Sequence, residues 1–178
     1  MDIKKVKIKR GSHVKVYHES TRTIEEEGSG KSKTIKNDMD GTYRDEPHDD
    51  LLMAFDDLRE HVSVIVGFRK QSQKLGSVTD DELSSISVTG ISIGGNDEDN
   101  YGVVITAVVK TSTGKSMVVN TPFLRFKDEE SYKHIDDLDA KVDTLIQETQ
   151  EYMSGKHGES NQIKMDFEDD SKQEEDAA

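Results

Sequence analysis

The sequence has no cysteine, which excludes a disulfide framework, a thiol nucleophile and a thiolate metal site. No stretch approaches the roughly 18 apolar residues that a membrane span needs. Aromatic residues make up only 6% of the chain and the hydrophobic set only 31%. The opening residues, Met1-Asp2-Ile3-Lys4-Lys5-Val6-Lys7, form no apolar h-region, so no signal peptide is expected. These absences argue against a secreted mini-protein, a membrane protein and a zinc ribbon. They leave a cytoplasmic protein with a modest core. Its 178 residues suggest one domain of about 150 residues plus a tail.

What the chain has in excess is charge, 34% of its residues against roughly 25% in an average globular protein. Lys plus Arg number 24 and Asp plus Glu 37, a net charge of −13. The distribution is uneven: residues 1–36 carry +5, residues 159–178 carry −6, and the middle carries −12. Residues 158–178 hold too few apolar groups to offset the entropy of ordering and read as a disordered acidic tail. Within it, Met165-Asp166-Phe167-Glu168-Asp169-Asp170 sets two apolar anchors, Met165 and Phe167, among acids that include Asp169 and Asp170. That composition suits a short motif docking on a basic groove of a partner, and it equally suits a solubilising tail.

Residues 1–157 read as a single domain of alternating strands and helices. Ile3, Val6 and Ile8, then Val14 and Val16, mark two strands joined at Arg10-Gly11-Ser12, a hairpin pattern. The pattern then dissolves, and residues 25–33 have the composition of a flexible loop; Thr34-Ile35-Lys36 is a candidate third strand. Leu51, Phe55, Leu58, Val62 and Ile65 recur at helical spacing after Asp45-Glu46-Pro47, with Gly67 as a stop. Ile86 to Ile93, Val103 to Val109 and Met117 to Val119 read as a meander, its continuous middle run suggesting a strand buried on both faces. Ile135, Leu138, Val142, Leu145, Thr149 and Tyr152 form a second amphipathic helix ending near Gly155. The expected fold is α+β, an antiparallel sheet with two amphipathic helices in the order β-β-β-α-β-β-β-α.

Several strings look catalytic and lack the required setting. Gly90-Ile91-Ser92-Ile93-Gly94 matches a nucleophile elbow in letters, but that motif needs a strand-to-helix turn. Ser29-Gly30-Lys31-Ser32 and Thr113-Gly114-Lys115-Ser116 end like a P-loop, yet the leading glycine is replaced by Glu25 and Val109. Asp97-Glu98-Asp99 lacks EF-hand spacing. Acids beside His48 suit a first helical turn. No enzyme activity, metal site or cofactor is expected. The richest candidate is the basic hairpin: Lys4, Lys5, Lys7, Lys9, Arg10 and Lys15, with Tyr17 on its second strand. Lysines on a strand can neutralise phosphates while an aromatic ring stacks on an unpaired base. Lysines also guard edge strands against aggregation. Tyr43, Phe68 and Tyr101 are further stacking candidates or core residues.

Three strands, a helix and two more strands is the element order of an OB-fold. With a basic body and an acidic tail, the layout resembles the single-stranded-DNA-binding proteins of bacteria and phages. That resemblance implies a tail that recruits replication or recombination proteins and competes with DNA. The chain departs from it by ending in Ala177-Ala178 where the bacterial tails close on Pro-Phe. Ser87-Val88-Thr89-Gly90-Ile91-Ser92, Gly102-Val103-Val104-Ile105-Thr106-Ala107 and Asn120-Thr121-Pro122 resemble a pattern in uncharacterised phage and prophage proteins. This implies a phage context and the cytoplasm of a bacterial host. The leading expectation is a non-enzymatic accessory protein that binds single-stranded DNA through the hairpin. The alternative is an acidic protein-binding module, a DNA mimic acting on a host or phage enzyme, because the −12 middle would attract basic proteins.

Overall fold

The computed structural model describes residues 1–9, 13–25, 32–95, 97 and 99–158. The expected turn at Arg10-Gly11-Ser12 and the tail anchors Met165, Phe167, Asp169 and Asp170 lie outside the described residues. The fold is α+β, built on an antiparallel sheet. β1 (Asp2–Lys9), β2 (His13–Glu25) and β3 (Ser32–Tyr43) lead into α1 (Asp49–Asp56), α2 (Arg59–Ile65) and α3 (Asp80–Leu83). The chain then forms β4 (Ile86–Gly94), β5 (Gly102–Lys110), β6 (Ser116–Asn120), β7 (Leu124–Arg125) and α4 (Ile135–Met153). The strands run β3-β2-β1-β4-β5-β6 across the sheet, with β7 paired to β5. The stretch β3-β2-β1-β4-β5 is compatible with an OB-like meander. It lies here in an open sheet, and no ladder among the described residues joins β3 to β5.

Alternation along the strands decides which face holds the core. Val6, Val14, Val16, Ile91, Ile105 and Ala107 are fully buried beneath the helices. α4 buries the six residues expected of its apolar stripe: Ile135, Leu138, Val142, Leu145, Thr149 and Tyr152. Its C-terminal end is tied down by Lys156, which pairs with Asp50 at 2.7 Å, Glu148 at 2.8 Å and Glu151 at 2.9 Å. Those three hydrogen-bonded carboxylates hold the ammonium well above its ordinary pKa. Among the described residues, no helix is long and apolar enough to cross a membrane.

Besides the short α3 and β7, which add a helix and a strand to the expected order, three details differ from the sequence pattern, each for a local reason. The single expected helix is broken between Asp56 and Arg59. Leu58 N–H bonds Phe55 O at 3.3 Å in a tightened turn, while the Arg59 Nε–H donates to Asp56 O at 3.1 Å and satisfies the carbonyl freed by the break. The apolar face survives, with Leu51, Phe55, Leu58 and Val62 all buried.

The second difference is in β5, which is buried on one face only. Val103, Ile105, Ala107 and Val109 are buried while Val104, Thr106 and Val108 are half-buried, because helices cover only one side. The third lies in the stretch read as a loop. The β2–β3 ladder continues to Thr23↔Thr34, Ile24↔Lys33 and Glu25↔Ser32, well past the Asp2↔Glu19 end of β1. Thr34-Ile35-Lys36 falls within β3 as expected, but a ribbon whose Thr21, Arg22, Thr23 and Thr34 are exposed needs no apolar alternation, so its full length is not marked in the sequence. Residues 26–31 lie outside the described residues.

Gly102 is required by a close approach: a Cβ there would sit 2.1 Å from Leu124 O. Gly102→Ala is therefore expected to push β7 off β5 and cost about 2 kcal/mol, read from the urea midpoint at unchanged slope.

Candidate functional site

Lys5, Lys7 and Lys9 occupy alternate positions of β1 and are exposed, on the face opposite Val6. Their partners on β2 are Tyr17, Lys15 and His13 respectively. Lys7 thus stands directly across the ladder from Lys15, and like charges in that position destabilise a sheet. On the other flank Lys5 pairs with Ser92 and Lys7 with Gly90 of β4. A Cβ at Gly90 would fall 2.9 Å from Lys7 Cγ and 2.7 Å from Val6 O. The glycine gives the Lys7 stem room to lie across β4, the close approach that a strand-interior glycine signals.

Edge protection does not account for these lysines. β1 lies between β2 and β4, and β2 between β1 and β3, so both strands of the hairpin are internal. The sheet edges are β3 on one side and, on the other, β6 with the two-residue β7. Among the described residues, no carboxylate stands within ion-pair distance of Lys5, Lys7, Lys9 or Lys15. The four ammonium groups share one uncovered face, where alternation also places Ser92 of β4 and Val104 and Thr106 of β5. The basic row is therefore flanked by a nearly flat, uncharged floor. On the opposite flank Asp40 and Asp38 of β3 pair with Tyr17 and Glu19 and bound the row with negative charge. Partial burial and Asp38 push the Tyr17 phenol above its ordinary pKa. Tyr17 also lines a shallow groove of about 640 Å³ with Glu19, Lys36, Gly94 and Gly95.

The structure does not gather every expected site residue. Lys4 is the bulge residue of β1 and is held by Asp2 at 2.6 Å; that hydrogen bond raises its pKa against the opposing effect of burial. Arg10 lies outside the described residues. Tyr43 packs edge-on against Tyr152, Tyr101 packs on Phe126, and Phe68 follows α2 in the helical layer. This leaves Tyr17 as the aromatic contributed to the basic face among the described residues.

The strings with catalytic spelling sit in ordinary surroundings. Ser92 is inside β4, paired with Lys5 and Val104. Gly114 takes φ +76° in the turn into β6. His48 caps α1, its Nδ1 accepting from Asp50 N–H at 3.2 Å.

The helical layer contains one polar network that the sequence did not suggest. His61 is fully buried on α2; its Nδ1 lies 2.8 Å from Tyr132 Oη and its Nε2 2.9 Å from Asp137 Oδ2. In the neutral ring, Nε2–H donates to the carboxylate and Nδ1 accepts from the phenol, so every group is satisfied. Burial, reinforced by the Lys141 charge, lowers His61 to about 4 despite Asp137. Burial also raises Tyr132. The network joins α2 to the first turn of α4 and is closed to solvent at the imidazole, which suits a latch between helices. Only proximity in the fold reveals it, since His61 is far in sequence from both Tyr132 and Asp137.

No family model, curated protein or solved structure matches this chain. Glu60, buried on α2, accepts from Arg69 and from Gly76 N–H, the latter at 2.7 Å. Glu60→Gln is expected to weaken both charge-assisted bonds and loosen the segment from Gly67 to Val78, raising its proteolytic nicking while the sheet stays folded.

Proposed function

We propose that this chain is a non-enzymatic, phage-type accessory protein that binds nucleic acid, single-stranded DNA above all, on the open face of its sheet. The observation that carries the reading is the Lys7–Lys15 pair. Two lysines face each other on internal strands, without a carboxylate partner among the described residues, and a glycine makes room for one of them. Stability alone gives no reason for that arrangement, whereas a phosphate backbone does. Lys5 and Lys9 extend the row, Tyr17 offers a ring to one base, and the uncharged floor of β4 and β5 accepts the rest. The net charge of −13 keeps nucleic acid from adhering elsewhere. The acidic tail serves a protein partner or competes for the same lysines.

The test is fluorescence anisotropy of a labelled oligo-dT at low and physiological salt, with the full chain beside a truncation ending at Gly158. Tighter binding by the truncation, weakening with salt in both, supports the reading with the tail as internal competitor. Absence of binding by both at low salt refutes it.

A second reading, an acidic module that mimics DNA, draws on α4. Asp139 is half-buried there, and its burial together with Asp143 and Asp136 pushes its carboxyl up. Such crowding of like charge suits a basic protein partner. A mimic would ignore oligo-dT and retain a basic nucleic-acid-binding protein.

A further inference from the structure

The two edges of the sheet are built differently. Along β3, Lys36, Asp38 and Asp40 are exposed and charged, the usual guard against strand addition. β6 reads Ser116-Met117-Val118-Val119-Asn120, with no charge in five residues. Its Met117 is 51% exposed and its Val118 66%. An uncharged apolar edge invites another strand.

The hydrogen bonds of β5 define what that edge presents. Thr121 N–H donates to Ile105 O at 2.9 Å and Thr111 N–H to Lys115 O at 2.8 Å. Bonded pairs alternate in an antiparallel ladder, so Val119 and Met117 bond inward to Ala107 and Val109. The N–H and C=O of Ser116, Val118 and Asn120 then point away from β5. Lys110 agrees with this phase, since its N–H turns the other way to Ser85 O at 2.8 Å. Thr121 turns its N–H inward to Ile105, and Pro122 after it ends the usable edge.

We infer that β6 is a homodimer edge, pairing antiparallel with β6 of a second copy about a twofold axis at Val118. This register brings the outward-pointing groups together: Val118 faces the partner's Val118, and Ser116 faces the partner's Asn120. It also sets Met117 against the partner's Val119, apolar on apolar, and brings no charged pair together. The five residues are self-complementary under that operation, which is what an isologous interface requires and what an arbitrary peptide has no need to match. A five-residue edge buries less than a standard interface of about 1,600 Å², so affinity in the micromolar range is expected. Because each copy carries −13, added salt screens repulsion and strengthens pairing. Where the nucleic-acid reading also holds, the axis perpendicular to the sheet puts both lysine rows on one side, about 34 Å apart at about 4.8 Å per strand.

Sedimentation velocity of the full chain over a concentration series tests the pairing without any nucleic acid. The expected result is a dimer that grows with concentration and salt and is lost in Val118→Lys, whose urea midpoint stays that of the parent. A monomer at every concentration, or a dimer untouched by Val118→Lys, overturns the inference. The absence of native cysteine permits a second arm that needs no charge change. Val118→Cys lies on the axis, where directly opposed side chains of a bonded antiparallel pair stand about 5.5 Å apart, within reach of a short bifunctional thiol cross-linker. It should be joined to a covalent dimer much faster than Ser112→Cys in the neighbouring exposed turn; equal rates overturn the inference.

Discussion

Lys15→Glu is expected to stabilise the fold and weaken nucleic-acid binding at the same time. In the parent, Lys15 opposes Lys7 directly across the β1–β2 ladder; the substitution turns a repulsive cross-strand pair into an attractive one. Such pairs contribute up to about 1 kcal/mol, so the urea midpoint should rise. Binding should move the other way. Four lysines on phosphate give a slope of log K against log salt of about −2.8 for a single strand, a loss of about 50-fold over a fourfold rise in salt. Lys15→Glu removes one contact and engages Lys7 in a second, leaving a slope of about −1.4 and a loss of about sevenfold over the same range. The opposite signs matter, because a variant that is more stable and binds less has not lost binding through unfolding. Unchanged affinity and slope would show that the basic face carries no nucleic acid.

The other large expected effect is the response of stability to acid through His61. An unfolded histidine titrates near 6.5, while the buried one is lowered to about 4. Between those values the unfolded chain binds more protons than the folded one, so folding stability falls as pH drops through this window. Above about 6.5 the effect is absent, and below about 4 it is complete. The difference corresponds to about 3 kcal/mol. Asp137, held below its ordinary pKa by Lys141 and His61 against the opposing effect of burial, loses its own contribution only at lower pH. Chemical denaturation at pH 7, 5.5 and 4.5 checks the sign. His61→Ala should cost stability at pH 7 and flatten this part of the profile; a profile equally steep in the variant would mean another group is responsible.

Much of the fold was legible because the residues involved are periodic. The stripe of α4 was read residue by residue from spacings of three and four, and the meander from apolar residues alternating with Ser and Thr. Thr34-Ile35-Lys36 lies in β3 as expected, but the full length of the β2–β3 ribbon is not legible, because its exposed residues show no such alternation. The break between α1 and α2 was missed because Leu58 keeps the helical phase of the apolar face across it. At the candidate site, the sequence supplied Lys5, Lys7, Lys9, Lys15 and Tyr17 as one group, since alternate residues of a hairpin share a face. It also offered Lys4, which the bulge between Ile3 and Lys5 takes out of register and Asp2 engages. Gly90 stands in the sequence within the nucleophile-elbow spelling and the pattern over residues 87–92, and neither points to its place beside Lys7.

By itself, the sequence determined the α+β class, the hairpin, the long final helix and the uneven distribution of charge, all properties of neighbours along the chain. Tertiary structure decided what those pieces mean. Strand order is set by long-range pairing, and it placed β1 inside the sheet, so its lysines could no longer be explained as edge protection. The helices packed on one face, leaving the lysines open and burying His61 with partners from a distant helix and the loop before it. Ladder phase, set by contacts between β5 and β6, determined which main-chain groups the free edge offers. Local pattern carries none of these, because each depends on residues that only folding brings together.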